Sequence, residues 1–545
     1  MPILHRYTAG DKIYLNSSSN MLFNSYEFLF LFLPITLVVY FLIAKYGQEA
    51  AIGWLVLASL FFYGWWNPVY LILIILSMAV NFGFGELLGH IYASKKTRTS
   101  RLWLTLGITF NLGLLGYFKY INFAVNNINS ITGSNLSIEV IILPLAISFF
   151  TFQQIAYLMD SYKGITQEYK FSHYVIFVTF FPQLIAGPIV HHKDMLSQFM
   201  NPDAMHPRIE NITIGLSIFA VGLFKKTVLA DGIAQYATPI FDSASSGQVL
   251  TFFEAWGGAL SYTFQLYFDF SGYSDMAIGA ARMFGIKLPI NFHSPYKATN
   301  IIEFWRRWHI TLSCFLRDYL YIPLGGNQHG RFLRYRNLMI TMLLGGLWHG
   351  AGWTFVIWGG LHGFYLIINH VWNYLTSQSQ PVMPKSLAKL FGWLTTFIAV
   401  VIGWVFFRAT NFEAALAMLQ GMAGLNGIAL PNAIATRLGD IWELLGKFGF
   451  TTYLGGGNQF VFTWLWIAIL FPITLAMPNT QQIMSKFEPA LHLHQPHEKN
   501  EIRFLVLEQI LVWKPNMYWA VAIGVIAALA VLAMTGISEF LYFQF

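Results

Sequence analysis

Residues 28 to 44 read FLFLFLPITLVVYFLIA and contain no charged side chain. A helix needs about 20 mostly apolar residues to cross the hydrocarbon core of a bilayer. Comparable apolar runs recur at residues 69–80, 138–158 and 520–534. Because such runs are spread over the whole chain, they predict an all-α, polytopic integral membrane protein from which no soluble domain can be separated.

The composition points to the same class of protein. Of the 545 residues, 56% are hydrophobic and only 10% are charged, whereas soluble domains carry about 25% charged residues. The net charge of +7 comes from Lys and Arg in short loops, where these residues set membrane orientation. We therefore predict topology signals and no nucleic-acid partner. Cys314 is the only cysteine, which excludes a disulfide framework and a Cys-based metal cluster.

The segment Lys95–Arg101 provides the anchor for topology, because it holds four positive charges and no negative one. The positive-inside rule places it in the cytoplasm. Counting crossings from this segment predicts about 11–12 transmembrane helices, with the N- and C-termini both extracytoplasmic. On this count residues 297–336 and the loop 478–515 are cytoplasmic, and an insert at 411–459 is external.

Two segments do not read as simple spans. Residues 173–190 contain Pro182 and the pair Gly187-Pro188, which would break a spanning helix, so we predict that this segment is re-entrant. Lys225-Lys226 would lie toward the outer end of a span near 212–230, against the positive-inside rule. That helix is tilted, displaced or also partly re-entrant if the crossing count holds.

The chain divides into a polar leader, residues 1–20, and a single transmembrane domain, residues 21–545. Met21 is a second plausible start, so the leader is either dispensable or an ordered polar tail. We find no removable signal peptide. No internal repeat is visible, which argues against a transporter built from duplicated halves.

Residues 304–319 read FWRRWHITLSCFLRDY. On one continuous helix Arg306, His309, Ser313 and Arg317 would share a polar face. The helix would then lie at the inner boundary of the membrane or line a polar cavity. The alternative is an interfacial helix whose arginines extend toward water.

A second histidine lies in residues 344–353, LGGLWHGAGW. An ionisable residue such as His349 within an apolar run marks a functional site by default. Gly346 and Gly350 form a G-x-x-x-G pair that lets helices approach closely and also leaves room for a substrate beside the imidazole. An ordinary imidazole pKa of about 6.5 suits a general base. For His362 we expect a structural, hydrogen-bonded role.

The two histidine segments, residues 307–309 and 347–350, together with RDYLYIPLGGN at 317–327 and the closing residues 540–545, resemble the membrane-bound O-acyltransferase family. Within it the chain is most similar to the alginate O-acetyltransferase branch, and more distantly to the D-alanyl transfer protein of teichoic acid synthesis. Segments 181–188 and 269–275 also resemble the family. The leader and the cluster His492, His494 and His497 depart from the branch. Flexible histidines rarely bind metal, so we predict no metal site.

The resemblance implies a helical funnel with re-entrant segments around two histidines. His349 would be the base at its narrow centre, and His309, on the cytoplasmic wall, would orient the donor or stabilise developing charge. The remaining residues that would line the substrate and donor sites are Arg306, Arg307, Trp308, Ser313, Arg317, Asp318, Asn327 and Trp348.

The implied reaction, in the inner membrane of a bacterium, moves an acyl group, most often acetyl, from a cytoplasmic thioester. The donor is acetyl-CoA or an acyl carrier, whose phosphates the basic segment 297–336 would attract, and no cofactor is permanently bound. The acceptor is a hydroxyl of an extracytoplasmic polysaccharide of the exopolysaccharide or alginate type, reached directly or through a periplasmic acetyltransferase partner. One rival interpretation is a polysaccharide or lipid flippase, against which the two histidines and the lack of an internal repeat argue. Another is a scaffold for an export complex, which would leave the arginine and histidine stripe unexplained.

Overall fold

The computed structural model describes residues 21–93, 97–139, 141–166, 170–185, 187–376, 384–491, 505–534 and 541. It is 77% helical, and within these ranges the strands are two four-residue segments. The prediction of an all-α polytopic membrane protein is confirmed. The leader at 1–20 and the cluster His492, His494 and His497 lie outside the described residues.

The first part of the chain begins with a π-helical turn, Phe28–Phe32, that leads into an α-helix with Pro34 in its first turn, where proline is tolerated. The α-helices here are α1 Leu33–Ala44, α2 Gln48–Trp66, α3 Val69–Ala93, α4 Thr97–Leu115, α5 Ile121–Thr132, α6 Ile147–Tyr162, α7 Phe171–Thr179, α8 Phe181–Leu184 and α9 His192–Phe199. A second π-helical turn, Gly116–Tyr120, joins α4 to α5.

The central part holds the two predicted histidine segments. Its α-helices are α10 Ile209–Phe224, α11 Asp231–Ser245, α12 Phe252–Met283, α13 Ile301–Trp305, α14 Ile310–Leu316, α15 Gly330–His349 and α16 Trp353–Thr376. Helix α12 begins with a capping box in which Thr251 and Glu254 bond each other's backbone. The π-helical segment Lys225–Ala230 joins α10 and α11 into one helical stretch.

The last part contains α17 Lys385–Arg408, α18 Phe412–Met422, α19 Asn432–Ala435, α20 Asp440–Lys447, α21 Gly457–Ala476, α22 Thr480–Ile483, α23 Leu505–Ile510 and α24 Met517–Ala533. The strands β1 Ile428–Pro431 and β2 Phe450–Tyr453 pair in parallel, with Ile428 opposite Phe450. Both strands belong to the 411–459 insert.

Five helical stretches of the described residues are long and apolar enough to span a membrane. They are Gln48–Trp66, Val69–Tyr92, Ile209–Ser245, Lys385–Arg408 and Gly457–Ala476, and two shorter apolar stretches are Phe28–Ala44 and Met517–Ala533. Helices α12, α15 and α16 are 32, 20 and 24 residues long, but they carry more polar residues. The count of 11–12 crossings stays a prediction.

One end of the helical bundle, here called the basic end, is where α3 and α4 meet beside Arg98. Tyr92, at the end of α3, packs on Gly164 just after α6. Near the end of α6, Asp160 accepts a hydrogen bond of 2.9 Å from the hydroxyl of Tyr319. The basic segment around residue 317 therefore lies at the same end as Arg98, as the prediction that both segments lie on one side of the membrane requires.

The lysine pair that conflicted with the positive-inside rule is explained by ion pairing. Lys225 Nζ lies 2.6 Å from Asp275, and Lys226 Nζ lies 2.7 Å from Asp231 and 2.6 Å from Asp269. Charges buried in this way are compensated by their partners and do not act as loop charges that set orientation. The pair therefore gives no reason to expect a displaced span.

The proline-rich segment is broken as its sequence predicts. Helix α7 ends at Thr179, the backbone is non-helical at Phe180, and α8 restarts with Pro182 in its first turn. Its residues are buried against α2 and α12, and the amide of Phe181 donates to Ser59 of α2. Irregular backbone at membrane depth requires such burial within protein. Re-entry through one membrane face stays a prediction.

Candidate active site

His349 is the last residue of α15, and its ring is enclosed by aromatic side chains. The ring centroids of Trp348, Trp358 and Phe407 lie 4.9, 5.1 and 5.1 Å from that of His349. A Cβ at Gly350 would lie 2.1 Å from the Phe355 ring, so glycine is needed where the chain leaves the helix. Among the described residues no side chain hydrogen-bonds the His349 imidazole, which leaves its nitrogens available to a substrate.

His309 lies at the start of α14 in a strained backbone conformation. Its φ and ψ are 44° and 54°, in the left-handed region that non-glycine residues rarely adopt. Neighbouring hydrogen bonds hold it there: His293 N donates to Arg307 O at 3.0 Å, and Ile310 N donates to Asn291 O at 2.9 Å. Such strain costs about 1–3 kcal/mol and concentrates at functional sites.

Asn291 fixes the protonation of His309. Its side-chain oxygen accepts from the backbone N–H of Thr311 at 3.3 Å and from the Thr311 hydroxyl at 3.0 Å. The same oxygen lies 3.1 Å from His309 Nδ1. Because an amide oxygen can only accept, Nδ1 carries the proton and Nε2 of the neutral ring keeps its lone pair.

The other end of the Asn291 carboxamide is a buried donor. Asn291 is fully buried, and its Nδ2 has no acceptor among the described residues. An unsatisfied buried N–H₂ group is unfavourable by about 1–3 kcal/mol. Beside His309, this group is suited to donate to an oxygen of a bound substrate.

The two imidazoles lie together in the folded chain. The ring centroids of His309 and His349 are 6.4 Å apart, and Phe270 of α12 packs edge-on against His309 at 4.7 Å. Helix α15 has 20 residues, which corresponds to about 30 Å of helix axis at about 1.5 Å per residue. His349 is therefore at the far end of a helix that starts near the basic end.

A cavity of about 180 Å³ lies against one face of α14. Toward the basic end it includes His191, whose Nδ1 lies 3.1 Å from the Tyr319 hydroxyl. Toward the histidine pair it includes Ile310 and Thr311, which directly follow His309. The remaining lining residues are Ala156, Ile189, Val190, Asp194, Pro289, Ile290, Cys314, Phe315 and Leu491. The cavity thus connects the basic end with the neighbourhood of His309.

The prediction that one helix presents Arg306, His309, Ser313 and Arg317 on a single face is wrong. Helix α13 ends at Trp305, a turn follows, and α14 starts only at Ile310. The strained conformation of His309 breaks the helical periodicity, so the spacing argument does not apply across it. Arg306 is half-exposed on this turn.

Arg307, predicted to line the donor site, is fully buried in a structural network. Its Nε donates to Glu303 at 2.8 Å, and its Nη1 donates to the backbone oxygen of His293 at 3.2 Å. This network braces the turn that presents His309. Trp308 is also buried, with its ring 4.7 Å from that of Trp404.

The other predicted lining residues are dispersed. Ser313 donates to the Trp308 backbone oxygen at 3.3 Å, and Arg317 forms a two-point ion pair with Asp318 at 2.6 and 2.9 Å. Asn327 is exposed in the turn before α15. Trp348 is buried and stacks on Phe152 at 5.1 Å, so of these residues only Trp348 contacts His349.

His362 departs from the role expected for it. It is fully buried, but neither ring nitrogen has a hydrogen-bond partner within the described ranges. Aromatic packing holds His362 instead, because the ring centroids of Trp358 and Trp305 lie 4.9 and 5.2 Å from its own.

Sequence reasoning missed Asn291 and the cavity wall. Asn291 lies in the irregular segment after α12, where no periodicity marks a residue for the site. The only signal was its position among apolar residues in LPINFHS at 288–294. The cavity is lined by segments that are far apart in the sequence, so no local sequence pattern predicts it.

Comparison with known proteins identifies the family. A model of the membrane-bound O-acyltransferase family matches residues 94–409. The peptidoglycan O-acetyltransferase of Helicobacter pylori is 50% identical over 437 residues, which cover 75% of this chain and 81% of that protein. The probable alginate O-acetylase AlgI of Pseudomonas aeruginosa is 44% identical over 407 residues, 74% of this chain and 75% of that protein.

A more distant relative is the teichoic acid D-alanyltransferase of Bacillus subtilis, 26% identical over 280 residues, 49% of this chain and 69% of that protein. The matched region 94–409 contains both histidines and Asn291. The resemblance stated from the sequence is confirmed. This chain belongs to the membrane-bound O-acyltransferase family and is a multi-pass membrane acyltransferase.

Proposed function

We propose that this enzyme transfers an acetyl group from a thioester bound at the basic end to a hydroxyl that enters from the opposite side of the membrane. The observation that carries the proposal is the position of the histidine pair. The cavity that reaches toward the basic end is lined by Ile310 and Thr311, which directly follow His309. The ring of His349, at the far end of α15, lies 6.4 Å from the ring of His309. Donor and acceptor can therefore meet at the two imidazoles.

The donor is acetyl-CoA or an acyl group on a carrier protein. Both carry phosphate, which the arginines of the basic end attract. The thioester arm would occupy the largely apolar cavity, whose wall between Ile310 and Phe315 is one face of α14. In this proposal the basic end is cytoplasmic and His349 lies toward the outer side. The enzyme then belongs in a bacterial inner membrane, and the crossing count from the sequence puts both termini on the extracytoplasmic side.

In the proposed reaction His349 acts as the general base. It takes the proton of the acceptor hydroxyl while that oxygen attacks the thioester carbonyl carbon. The carbonyl oxygen, negative in the tetrahedral intermediate, accepts a hydrogen bond from Asn291 Nδ2. The C–S bond then breaks, the thiolate takes the proton from the His349 imidazolium, and an ester and a free thiol remain.

His309 has a more limited part in this proposal. With its proton on Nδ1, its Nε2 can accept a hydrogen bond from the acceptor hydroxyl or the donor arm. Such a bond orients the reacting groups between the two rings. It refines the role expected from the sequence, because a neutral Nε2 acceptor cannot itself stabilise an oxyanion.

The acceptor is a cell-surface glycan. An alginate-type exopolysaccharide is consistent with the alginate O-acetylase relative, and the peptidoglycan O-acetyltransferase relative favours peptidoglycan as the second candidate. Transfer is direct or through a periplasmic acetyltransferase partner. For such a partner the 411–459 insert offers exposed apolar residues, including Leu444 and Phe448 of the α20 region.

The proposal is tested with purified enzyme in proteoliposomes and radiolabelled acetyl-CoA or acetylated carrier. Offering alginate oligosaccharides and peptidoglycan fragments separately, each with and without the periplasmic partner, identifies the acceptor. The expected result is release of free thiol together with an alkali-labile acetyl ester on one glycan. Movement of a labelled glycan across the membrane without ester formation would instead support a flippase.

A further inference from the structure

The last turn of α15 ends in carbonyl groups that the helix itself does not satisfy. The final four C=O groups of any α-helix lack an intrahelical partner. After His349 the chain becomes extended, with φ and ψ of −163° and 149° at Gly350. The usual left-handed cap, which would satisfy these carbonyls with amides of the following residues, is therefore absent from this helix end.

Two residues from a distant part of the chain donate hydrogen bonds to these carbonyls. Lys119 Nζ donates to the backbone oxygens of Trp348 and of His349, the latter at 3.3 Å. The hydroxyl of Tyr120 donates to the backbone oxygen of Leu347 at 2.8 Å. Three successive carbonyls at the end of α15 are thus capped from the turn between α4 and α5.

The ammonium group of Lys119 is fully used by these contacts. Its third bond goes to Ser148 Oγ of α6 at 3.2 Å, and an ammonium has three N–H donors. It also lies 5.7 Å from the centre of the Trp348 ring. A cation at a helix C-terminus is stabilised by the helix dipole. The geometry is that of a helix cap, with no N–H left over for a substrate.

The local sequence explains why Lys119 faces the end of α15. It is the one charged residue between Arg101 and Glu139, in a stretch that is otherwise apolar or neutral. The π-helical turn Gly116–Tyr120 inserts an extra residue into the helical ladder, and such insertions change which side chains face a neighbouring helix. A lone charge at this depth needs partners inside the protein.

We infer that Lys119 is a positioning residue for acyl transfer. By capping α15 it fixes the last turn of the helix and, through it, the imidazole of His349 relative to His309 and the cavity. This inference rests on the proposed function, because the position of His349 matters for turnover only if His349 takes part in the reaction.

The test compares Lys119→Met with Lys45→Met, a surface lysine just after α1. Hydrogen–deuterium exchange of the peptide 344–352 reports on the last turn without requiring activity. In folded Lys119→Met we expect exchange of this peptide to be about tenfold faster and kcat to be about 10²-fold lower, with KM for the donor within about twofold. Lys45→Met should match the wild type in all three.

Unchanged exchange at 344–352, or wild-type kcat, in folded Lys119→Met overturns the inference. If Lys119→Met does not fold, Tyr120→Phe removes only the hydrogen bond to the Leu347 carbonyl. It should then speed exchange and lower kcat by a few-fold. Unchanged exchange and kcat in Tyr120→Phe would also overturn the inference. Loss of one limb of the pH–rate profile in Lys119→Arg would assign Lys119 acid–base chemistry instead. If the wild-type enzyme transfers no acyl group, the proposed function is wrong. The exchange of peptide 344–352 would still show whether Lys119 caps α15.

Discussion

His309 Nδ1 lies 3.1 Å from the side-chain oxygen of Asn291, an oxygen that also accepts from the amide and hydroxyl of Thr311. This relationship sets which nitrogen of His309 is protonated and aims Nε2 away from Asn291. It also leaves the buried Nδ2 of Asn291 as a donor beside the histidine pair. The candidate site is therefore a three-residue arrangement of His309, His349 and Asn291.

Replacing His349 should remove the general base. We expect His349→Ala to lower kcat by about 10²–10⁴-fold while the protein still inserts and folds, because the smaller side chain only enlarges the aromatic enclosure. Acetyl transfer by the purified variant, checked for monodispersity, measures this. The control is His362→Phe, which alters another fully buried histidine and keeps an aromatic ring at that position. Near-normal turnover by folded His349→Ala would remove His349 from the mechanism.

Replacing Asn291 should affect turnover more than donor binding. Asn291→Ala removes both the acceptor for His309 Nδ1 and the donor proposed for the oxyanion, so we expect kcat to fall by about 10²–10³-fold. Steady-state kinetics with varied donor should show little change in KM. Thr311→Val removes the hydroxyl that donates to Asn291 and accepts from the amide of Ile189, but it keeps the shape of the side chain. It serves as the control and should retain most of the activity. An equal loss in the two variants would contradict a direct role for Asn291.

Arg307 should prove structural. Arg307→Met removes the hydrogen-bonded cation from the buried Glu303 carboxylate and leaves only Arg306, at 3.9 Å. Breaking a buried pair typically destabilises by about 3–5 kcal/mol. The double variant Arg307→Met, Glu303→Leu removes both charges and should recover much of the thermal stability. Thermal unfolding of the three proteins in detergent provides the measurement. A stable Arg307→Met variant with only a raised donor KM would restore the donor-binding role that the sequence suggested.

Cys314 should not carry the acyl group, although it lies in the wall of the cavity. Cys314→Ser changes little volume and should keep wild-type kcat, because transfer is proposed to be direct. Cys314→Trp should instead fill part of the cavity and raise the donor KM. Mass spectrometry of the enzyme trapped during turnover provides a separate check. An acetyl thioester on Cys314 would mean a double-displacement mechanism.

The sequence was sufficient to predict the class of protein and to single out the two histidines that the folded chain brings together. Apolar runs and low charge determine membrane residence directly, and an imidazole in an apolar run stands out because burial of an ionisable group needs a reason. The ion pair of Arg307 with Glu303 could also have been predicted from the sequence, because side chains four residues apart can pair across one helical turn.

Other features could not be read from the chain. A shared face for Arg306, His309, Ser313 and Arg317 requires a continuous helix. The left-handed backbone at His309 interrupts that helix. Tertiary hydrogen bonds from Asn291 hold this conformation, and they leave no local pattern. The contact of Lys119 with the end of α15 joins segments more than 200 residues apart, and a single lysine does not identify its partner.

Sided acyl transfer in oriented membrane vesicles tests the central claim most directly. Radiolabelled donor and a membrane-impermeant glycan acceptor are placed on opposite faces of right-side-out and inverted vesicles that contain wild type or His349→Ala. We expect labelled glycan ester only when the donor contacts the cytoplasmic face and the acceptor the outer face, and only with the wild type. Equal ester formation in both orientations, or equal formation by His349→Ala, would contradict an enzyme whose donor and acceptor meet at the two histidines from opposite sides of the membrane.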